Sequence, residues 1–140
     1  MASLVEHVAQ AKHNLLCATK SLQDGECRDW TITAAFYSAV HFAEAGFTSI
    51  DVGHSESNRP QNEEHHAYRG RLVREKYGDT CYRSYRKLQE ASYNVRYLAL
   101  WSSRPGVGLD YYSQADARKF VEQELPLIRR EIQARTINLD

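Results

Sequence analysis

Apolar residues in the first part of the chain recur every three or four positions, the spacing of one face of an α-helix. The series runs from Leu4 to Leu22 and is followed by Asp24-Gly25, where glycine can adopt the left-handed conformation that closes a helix. The sequence shows no alternation of apolar and polar residues of the kind that indicates a half-buried strand. The pattern therefore predicts an all-α fold whose first helix covers about residues 3 to 22.

The same periodicity, with residues that start and stop helices, predicts four further helical segments. They are expected from just after Asp29 to about Phe47, from just after an Asn62 cap to Gly78, from Asp79 or Thr80 to about Trp101, and from Ser113 onward with a kink at Pro126. His65 and His66 then fall in the first turn of the third helix. Polar loops with glycine and proline separate the helices at 50–64 and 102–112. Short connections favour antiparallel neighbours. We therefore expect a single domain, residues 1–140, built as an antiparallel up-and-down bundle of four long helices plus one shorter helix.

Cysteine content and hydropathy indicate the cellular setting. The three cysteines, Cys17, Cys27 and Cys81, are odd in number and show no C-x-x-C spacing, so a disulfide framework is not indicated. Free thiols suit a reducing cytosol. The first ten residues lack the apolar core of a signal peptide, and no apolar run is long enough to span a bilayer. The sequence predicts a cytoplasmic protein that is not inserted in a membrane.

Common motifs that bind phosphates and cofactors or position a catalytic serine are missing from the sequence. Neither the P-loop, the G-x-G-x-x-G fingerprint nor the G-x-S-x-G nucleophile elbow occurs. A metal site drawn from His54, His65, His66 and Cys81 is an alternative, but the spacing of these residues matches no zinc-finger pattern. The prediction is therefore that the protein uses no cofactor and no metal.

Charge is distributed unevenly along a chain whose net charge is zero. The segment 65–104 contains nine lysines and arginines against three acidic residues, and it also holds six of the nine tyrosines. Basic residues interleaved with aromatic residues are typical of surfaces that pair with phosphates and stack on bases. Within this segment Arg69, Arg96, Tyr93 and Tyr97 are the predicted binding residues. The alternative is that they form solvated helix faces.

A histidine pair at the predicted start of the third helix is the candidate catalytic group. Unpaired backbone amides make a helix start electropositive, which keeps His65 and His66 neutral and able to act as general bases. Arg69 lies one turn later and can share a face with His65, so its guanidinium could stabilise charge on a phosphate. The alternative is that these three are exposed residues of a capping turn.

His41 and Glu44 are separated by three positions and fall on the stripe of the second helix that is predicted to face inward, from Trp30 to Phe47. A buried carboxylate needs a partner. Glu44 could pair with His41, or with a basic or hydroxyl group from another helix. We therefore predict a structural polar network, in which Glu44→Ala costs on the order of 1–3 kcal/mol.

Three segments together resemble the HEPN superfamily (higher eukaryotes and prokaryotes nucleotide-binding). They read DWTITAAFYSAVHFAEA, HHAYRGRLV and YRKLQEASYNVRYLA, and the matching positions are Phe36, Tyr37, His41, Glu44, His65, His66, Arg96 and Tyr97. The resemblance covers about residues 29 to 101. It implies a four- to five-helix bundle that forms a homodimer, and in many members a metal-independent ribonuclease of toxin–antitoxin or other defence systems.

The motif of the active HEPN members, R-x(4–6)-H, is altered in this chain. No histidine follows Arg96 at the required spacing, and the formal match is Arg59 with His65 or His66, in the loop before the third helix. The resemblance therefore favours a dimeric binding module for RNA, a nucleotide or a partner protein such as an antitoxin. The alternative is a metal-independent ribonuclease in which Arg59 or Arg69 works with His65 or His66 across a dimer cleft. The third hypothesis is an interaction protein without a small ligand.

The homodimer is also predicted from apolar residues that a small bundle would leave uncovered. These are Phe42, Phe47, Leu98 and Trp101. Apolar helix faces exposed to solvent tend to mark interfaces. Light scattering that gives a concentration-independent monomer mass would contradict the prediction.

Overall fold

The computed structural model describes residues 2–50, 52–97, 111–136 and 138–140, and these residues form an all-α bundle, as predicted. The elements in chain order are α1 (Leu4–Asp24), α2 (Arg28–Ser49), α3 (Ser55–Asn58), α4 (His65–Tyr97), α5 (Gln114–Lys119), a π-helical turn (Phe120–Glu124) and α6 (Leu125–Gln133). Among the described residues no helix is long and apolar enough to cross a membrane.

Helix α1 begins and ends where the sequence indicates. The Ser3 hydroxyl accepts from the backbone amide of Glu6, whose carboxylate accepts from the amide of Ser3, so both groups are satisfied as a capping box. At the other end Gly25 has φ 78° and donates its amide to the Ser21 carbonyl. The Asp24-Gly25 stop is thus confirmed.

Helix α2 lies at the centre of the bundle and contacts α1, α4 and α6. Its small residues, such as Ala35, Ala39 and Ala43, are fully buried and allow close helix packing. Two predictions about its start are wrong. The helix begins at Arg28 after a Cys27 cap that makes no side-chain bond, so Asp29 lies inside it. Trp30 is 61% exposed, because the inward face of the first turn is formed by its neighbours.

Helix α4 is broken at Gly78, which has φ 91° and ψ 171°. The chain reverses there, since the Tyr82 ring packs over Gly70 and the Arg74 guanidinium bonds to Asp79. Residues 65–77 and 79–97 are therefore two helices, and the predicted boundary is confirmed. The predicted Asn62 cap is wrong, because the helix begins later, at His65, where the Glu64 carboxylate accepts from the amide of Ala67.

The C-terminal helices start with the predicted capping box of Ser113 and Asp116. The kink expected from Pro126 takes the form of the π-helical turn that precedes it. Proline cannot donate a backbone hydrogen bond, and the amide of Leu125 donates to the Phe120 carbonyl, five residues back. The π turn thus accommodates the hydrogen bond that Pro126 cannot donate, and the helix continues through it.

The apolar residues invoked for a dimer are placed differently from the expectation. Phe42 and Phe47 are fully buried in the core of a single chain, so they cannot mark an interface. Leu98 and Trp101 lie outside the described residues, as does most of the predicted 102–112 loop. Trp30 and Tyr97, at 61% and 59% exposure, are exposed aromatic side chains that line one shallow pocket.

Candidate functional site

A buried ion pair joins α2 to the first half of α4. Arg69 Nε donates to Glu44 Oε1 at 2.8 Å, and the two residues are only 5% and 1% exposed. Glu44 faces inward because α2 is the central helix. Arg69 lies one turn after the start of α4 and so points back over that helix end. The partner of Glu44 therefore comes from the third helical segment, and Arg96 does not fill this role.

The loop between α2 and α4 adds a second partner to Glu44. Ser55, the first residue of α3, donates its backbone amide to Glu44 Oε2 at 3.0 Å and its hydroxyl to Glu44 Oε1. Burial alone would raise the pKa of Glu44, but the bonds from Arg69 and Ser55 outweigh it and hold the pKa below its ordinary value. Glu44 is therefore a carboxylate at neutral pH.

Both candidate catalytic histidines contact the same arginine. Arg69 Nη2 lies 3.1 Å from His65 Nε2, and Arg69 Nη1 lies 3.2 Å from His66 Nδ1. Because a guanidinium only donates, each of these ring nitrogens accepts and carries no proton. Burial, with the nearby Arg69 charge, lowers the pKa of His65 and of His66. Both rings are neutral, with their lone pairs engaged by Arg69.

This arrangement changes what the two histidines can do chemically. A general base must present an unprotonated nitrogen to the substrate. In His66 that nitrogen is bonded to Arg69, and the remaining Nε2 carries the proton, so the ring offers a donor. Arg69 is buried and paired with Glu44, and Arg59 Nη1 donates to the Glu63 carbonyl at 2.7 Å. The four candidate catalytic residues thus lie on adjacent segments, but His65 and His66 are both bonded to Arg69.

Three more histidines extend the network toward α1. His7 Nδ1 and His41 Nδ1 are 3.0 Å apart, and the His54 ring stacks on His7 with 5.0 Å between centroids. Burial, with the nearby His54, lowers the pKa of His7 to about 4, and burial with the Arg69 charge lowers the pKa of His41. His41 therefore bonds to α1 rather than to Glu44, its neighbour on the same helix.

A pocket of about 260 Å³ opens beside this network, between the two halves of α4 and α2. Its wall combines aromatic rings, two arginines and polar groups, and the residues are Phe36, Glu64, His66, Ala67, Gly70, Tyr82, Arg86, Gln89, Tyr93 and Arg96. The hairpin at Gly78 creates the pocket, because it places the His66 turn opposite the last turns of α4. His66 is thus shared by the pocket and the buried network.

Arg96 lies at one end of the pocket, held between two tyrosine rings. Its Nη1 donates to the Tyr37 hydroxyl at 3.0 Å, and its Cζ lies 5.4 Å and 5.0 Å from the ring centroids of Tyr37 and Tyr97. Tyr93 packs against Tyr97 with 5.0 Å between centroids. Of the four predicted binding residues, Arg96 and Tyr93 line the pocket, Tyr97 lies beside it, and Arg69 is buried behind it.

Several residues of the site were not predicted. Phe36, Tyr82, Arg86 and Gln89 belong to the pocket, and His7 and Ser55 belong to the network. His7 lies three positions after Leu4 and four before Ala11, so helical periodicity already placed it on the buried face of α1. The pocket residues lack such a signal, because their convergence depends on the angle of the hairpin.

Comparisons with models of known families, with curated proteins and with solved structures gave no match.

Proposed function

We propose that the protein binds single-stranded RNA and that the pocket between the halves of α4 receives one nucleotide of the strand. The observation that carries the proposal is the convergence of Tyr82, Tyr93 and Phe36 with Arg86 and Arg96 around one cavity. Aromatic rings stack on any base, and arginines pair with the backbone phosphates.

The size of the pocket suits a small ligand unit. Pockets for drug-sized ligands measure roughly 300–1,000 Å³, and this one, at about 260 Å³, is slightly smaller. A single base with its sugar fits that volume better than a dinucleotide cofactor or a folded peptide. The rest of the RNA strand would follow the second half of α4, where the basic residues Arg83, Arg86 and Lys87 lie close together in the sequence.

Polar groups in the pocket can read the edge of a base. Gln89 is mostly buried and carries both a donor and an acceptor, and the neutral His66 ring presents its Nε2 proton. Glu64 supplies a carboxylate at the mouth. These groups bind rather than cleave, since the unprotonated nitrogen of His66 is bonded to Arg69. Binding without rapid cleavage is therefore the favoured activity.

The test is fluorescence anisotropy with a labelled single-stranded RNA, titrated at several salt concentrations. If Arg86 and Arg96 each neutralise one phosphate, the log–log slope of affinity against salt should be about −1.4, at roughly −0.7 per phosphate. Tyr93→Ala should weaken binding about 5- to 150-fold, as expected for a stacking interaction of roughly 1–3 kcal/mol. Arg86→Gln should flatten the salt slope by about 0.7.

Arg118→Gln is the matched control, because Arg118 is an exposed arginine on α5 whose bond is to Glu122. It should leave the affinity and the slope unchanged. An equal loss of RNA affinity in Arg118→Gln would contradict the proposal, because it would assign binding to the general charge of the protein. No RNA binding at low salt would also contradict it and would favour a protein partner or an interaction protein without a small ligand.

The ribonuclease alternative is tested with the same RNA incubated in EDTA. Rapid cleavage that disappears in the His65→Ala, His66→Ala double variant would replace binding by catalysis as the function. The homodimer and the toxin–antitoxin or other defence setting implied by the HEPN resemblance stay predictions. The exposed Trp30 and Tyr97 offer an aromatic surface for such a dimer.

A further inference from the structure

Three potential metal ligands from three separate elements meet on the α1 side of Glu44. They are His7 on α1, Glu44 on α2 and His54 at the start of α3, and one ligand atom of each lies within 4.8 Å of the others. Glu44 Oε2 is 3.8 Å from His54 Nε2. We propose that these three side chains form a binding site for a divalent transition-metal ion of the Zn²⁺ class.

His7 gives the independent reason to expect a ligand. The residue is 2% exposed, and its Nε2 has no hydrogen-bond partner among the described residues. The Nδ1 atoms of His7 and His41 share one proton, so two arrangements exist. If His7 accepted, its Nε2 would be a buried donor without an acceptor, and such donors are rare. If His7 donates, its Nε2 is a bare lone pair, which is the form that binds a metal.

The neighbours of the ligands hold them in the way that hydrogen-bond partners behind a metal site do. A ligating histidine usually donates its other ring proton to a fixed acceptor, and His41 Nδ1 is that acceptor for His7. Glu44 is held by Arg69 and by both donors of Ser55. Its Oε2 accepts one bond, from the Ser55 amide, and therefore keeps a lone pair toward His54. Two of the three ligands are thus oriented before a metal binds.

The donor set selects the class of ion. Two imidazole nitrogens and one carboxylate oxygen suit Zn²⁺ and its Co²⁺ substitute better than Mg²⁺ or Ca²⁺, which prefer oxygen ligands. Metal–ligand bonds of about 2.1 Å in a tetrahedron place the ligand atoms about 3.4 Å apart. The cluster must therefore contract, and His54 is the ligand that can move, because it belongs to a four-residue helix. Three protein ligands leave the fourth position to water.

Two features limit the affinity of the site. His54 Nδ1 accepts from the amide of Glu56, so the neutral ring carries its proton on Nε2. Binding through Nε2 moves that proton to Nδ1 and breaks the cap bond. The Arg69 charge, bonded to Glu44, also repels a cation. We therefore expect weaker binding than at a structural zinc site. The same polar atoms could instead hold one water molecule, and that is the outcome the experiment must separate.

The experiment is titration of the metal-free protein with Co²⁺ and with Zn²⁺, followed by calorimetry and visible absorption. One equivalent of either ion should bind in calorimetry, and bound Co²⁺ should show the d–d absorption of a low-coordinate nitrogen and oxygen site. His54→Gln should lower the affinity at least tenfold, and His7→Gln should do the same. His54 is the safer variant for folding, since its side chain is 16% exposed, and a circular dichroism spectrum should verify the fold of each variant.

The matched control is His13→Gln. His13 is an exposed histidine on α1 that lies 3.5 Å from Cys17 Sγ, so the two could bind zinc adventitiously on the surface. The proposal requires that His13→Gln still bind one equivalent of metal and that the cobalt spectrum lack a thiolate charge-transfer band. Metal binding that is lost in His13→Gln but kept in His54→Gln would overturn the proposal. The absence of measurable metal binding would also overturn it and would indicate that the polar atoms hold a water molecule. Arg86→Gln should bind metal normally, so the result is separable from RNA binding.

Discussion

Replacement of Glu44 by alanine is the sharpest test of the buried network. The carboxylate is 1% exposed and accepts from Arg69 Nε, from the Ser55 amide and from the Ser55 hydroxyl. In Glu44→Ala the Arg69 charge stays in place with a 5% exposed side chain and without a counterion. The amide and hydroxyl of Ser55 also lose their acceptor. The two neutral histidines beside Arg69 cannot replace the lost negative charge.

The size of the stability loss in Glu44→Ala depends on the kind of partner that is left behind. The sequence-based figure of about 1–3 kcal/mol was for a buried basic or hydroxyl partner left unsatisfied. Removal of one member of a buried ion pair typically costs about 3–5 kcal/mol. For a domain of this size each kcal/mol lowers Tm by roughly 3–4 °C, so Tm should fall by roughly 9–20 °C. That loss is a large part of the roughly 5–15 kcal/mol that stabilise most domains.

The assay is urea and thermal unfolding followed by circular dichroism, in EDTA to remove any metal contribution. Arg69→Met and the double variant Glu44→Ala, Arg69→Met complete a double-mutant cycle. The double variant should cost less than the sum of the single variants, because no charge is left buried alone. A Tm change of only a few degrees in Glu44→Ala, or additive costs in the cycle, would refute the reasoning and indicate that water reaches Arg69.

Two further predictions concern packing and pH. Gly46→Ala should destabilise the protein by about 1–3 kcal/mol in urea unfolding, because the new methyl group would meet the Tyr77 hydroxyl and lie 2.8 Å from Ile132 Cγ2. Gly70→Ala is the control: its methyl group meets a single ring atom at 3.8 Å, so the variant should be neutral or stabilising. The free energy of unfolding should be highest above about pH 6.5 and fall as the pH drops toward 4. The reason is that His7 has its ordinary pKa of 6.5 in the unfolded state, whereas burial in the folded state lowers its pKa to about 4. His7→Gln should flatten that pH dependence, and an unchanged slope would contradict the assignment.

The helices could be predicted because their signals are local. Ser3 and Ser113 are followed at the right spacing by an acid, and Gly25 and Gly78 have the positive φ that glycine tolerates best. These residues determine where helices start and stop whatever they pack against. Trp30 shows the limit of the periodicity, since α2 is buried on nearly every side and its sequence therefore carries no single inward stripe.

The site could be predicted only in part, because it depends on distances between elements. The sequence indicated that Glu44 is buried and needs a partner, but several basic residues could have reached it. The choice of Arg69 over Arg96 is made by the hairpin at Gly78, which turns the first half of α4 toward α2. Ser55 joins through a four-residue helix inside a segment whose composition indicates a loop. No local pattern encodes such contacts.

The Glu44–Arg69 pair connects the two proposed sites, and this decides which variants are informative. Arg69 bonds to His66, which lines the pocket, and Glu44 faces His54 on the opposite side. Any change to the pair therefore disturbs both sites as well as the fold, and a loss of function in Glu44→Ala would assign nothing. His54 and Arg86 lie at the two ends of this arrangement and are more exposed than the pair. Variants at these ends change one site each, so they can separate metal binding from RNA binding in a protein that remains folded.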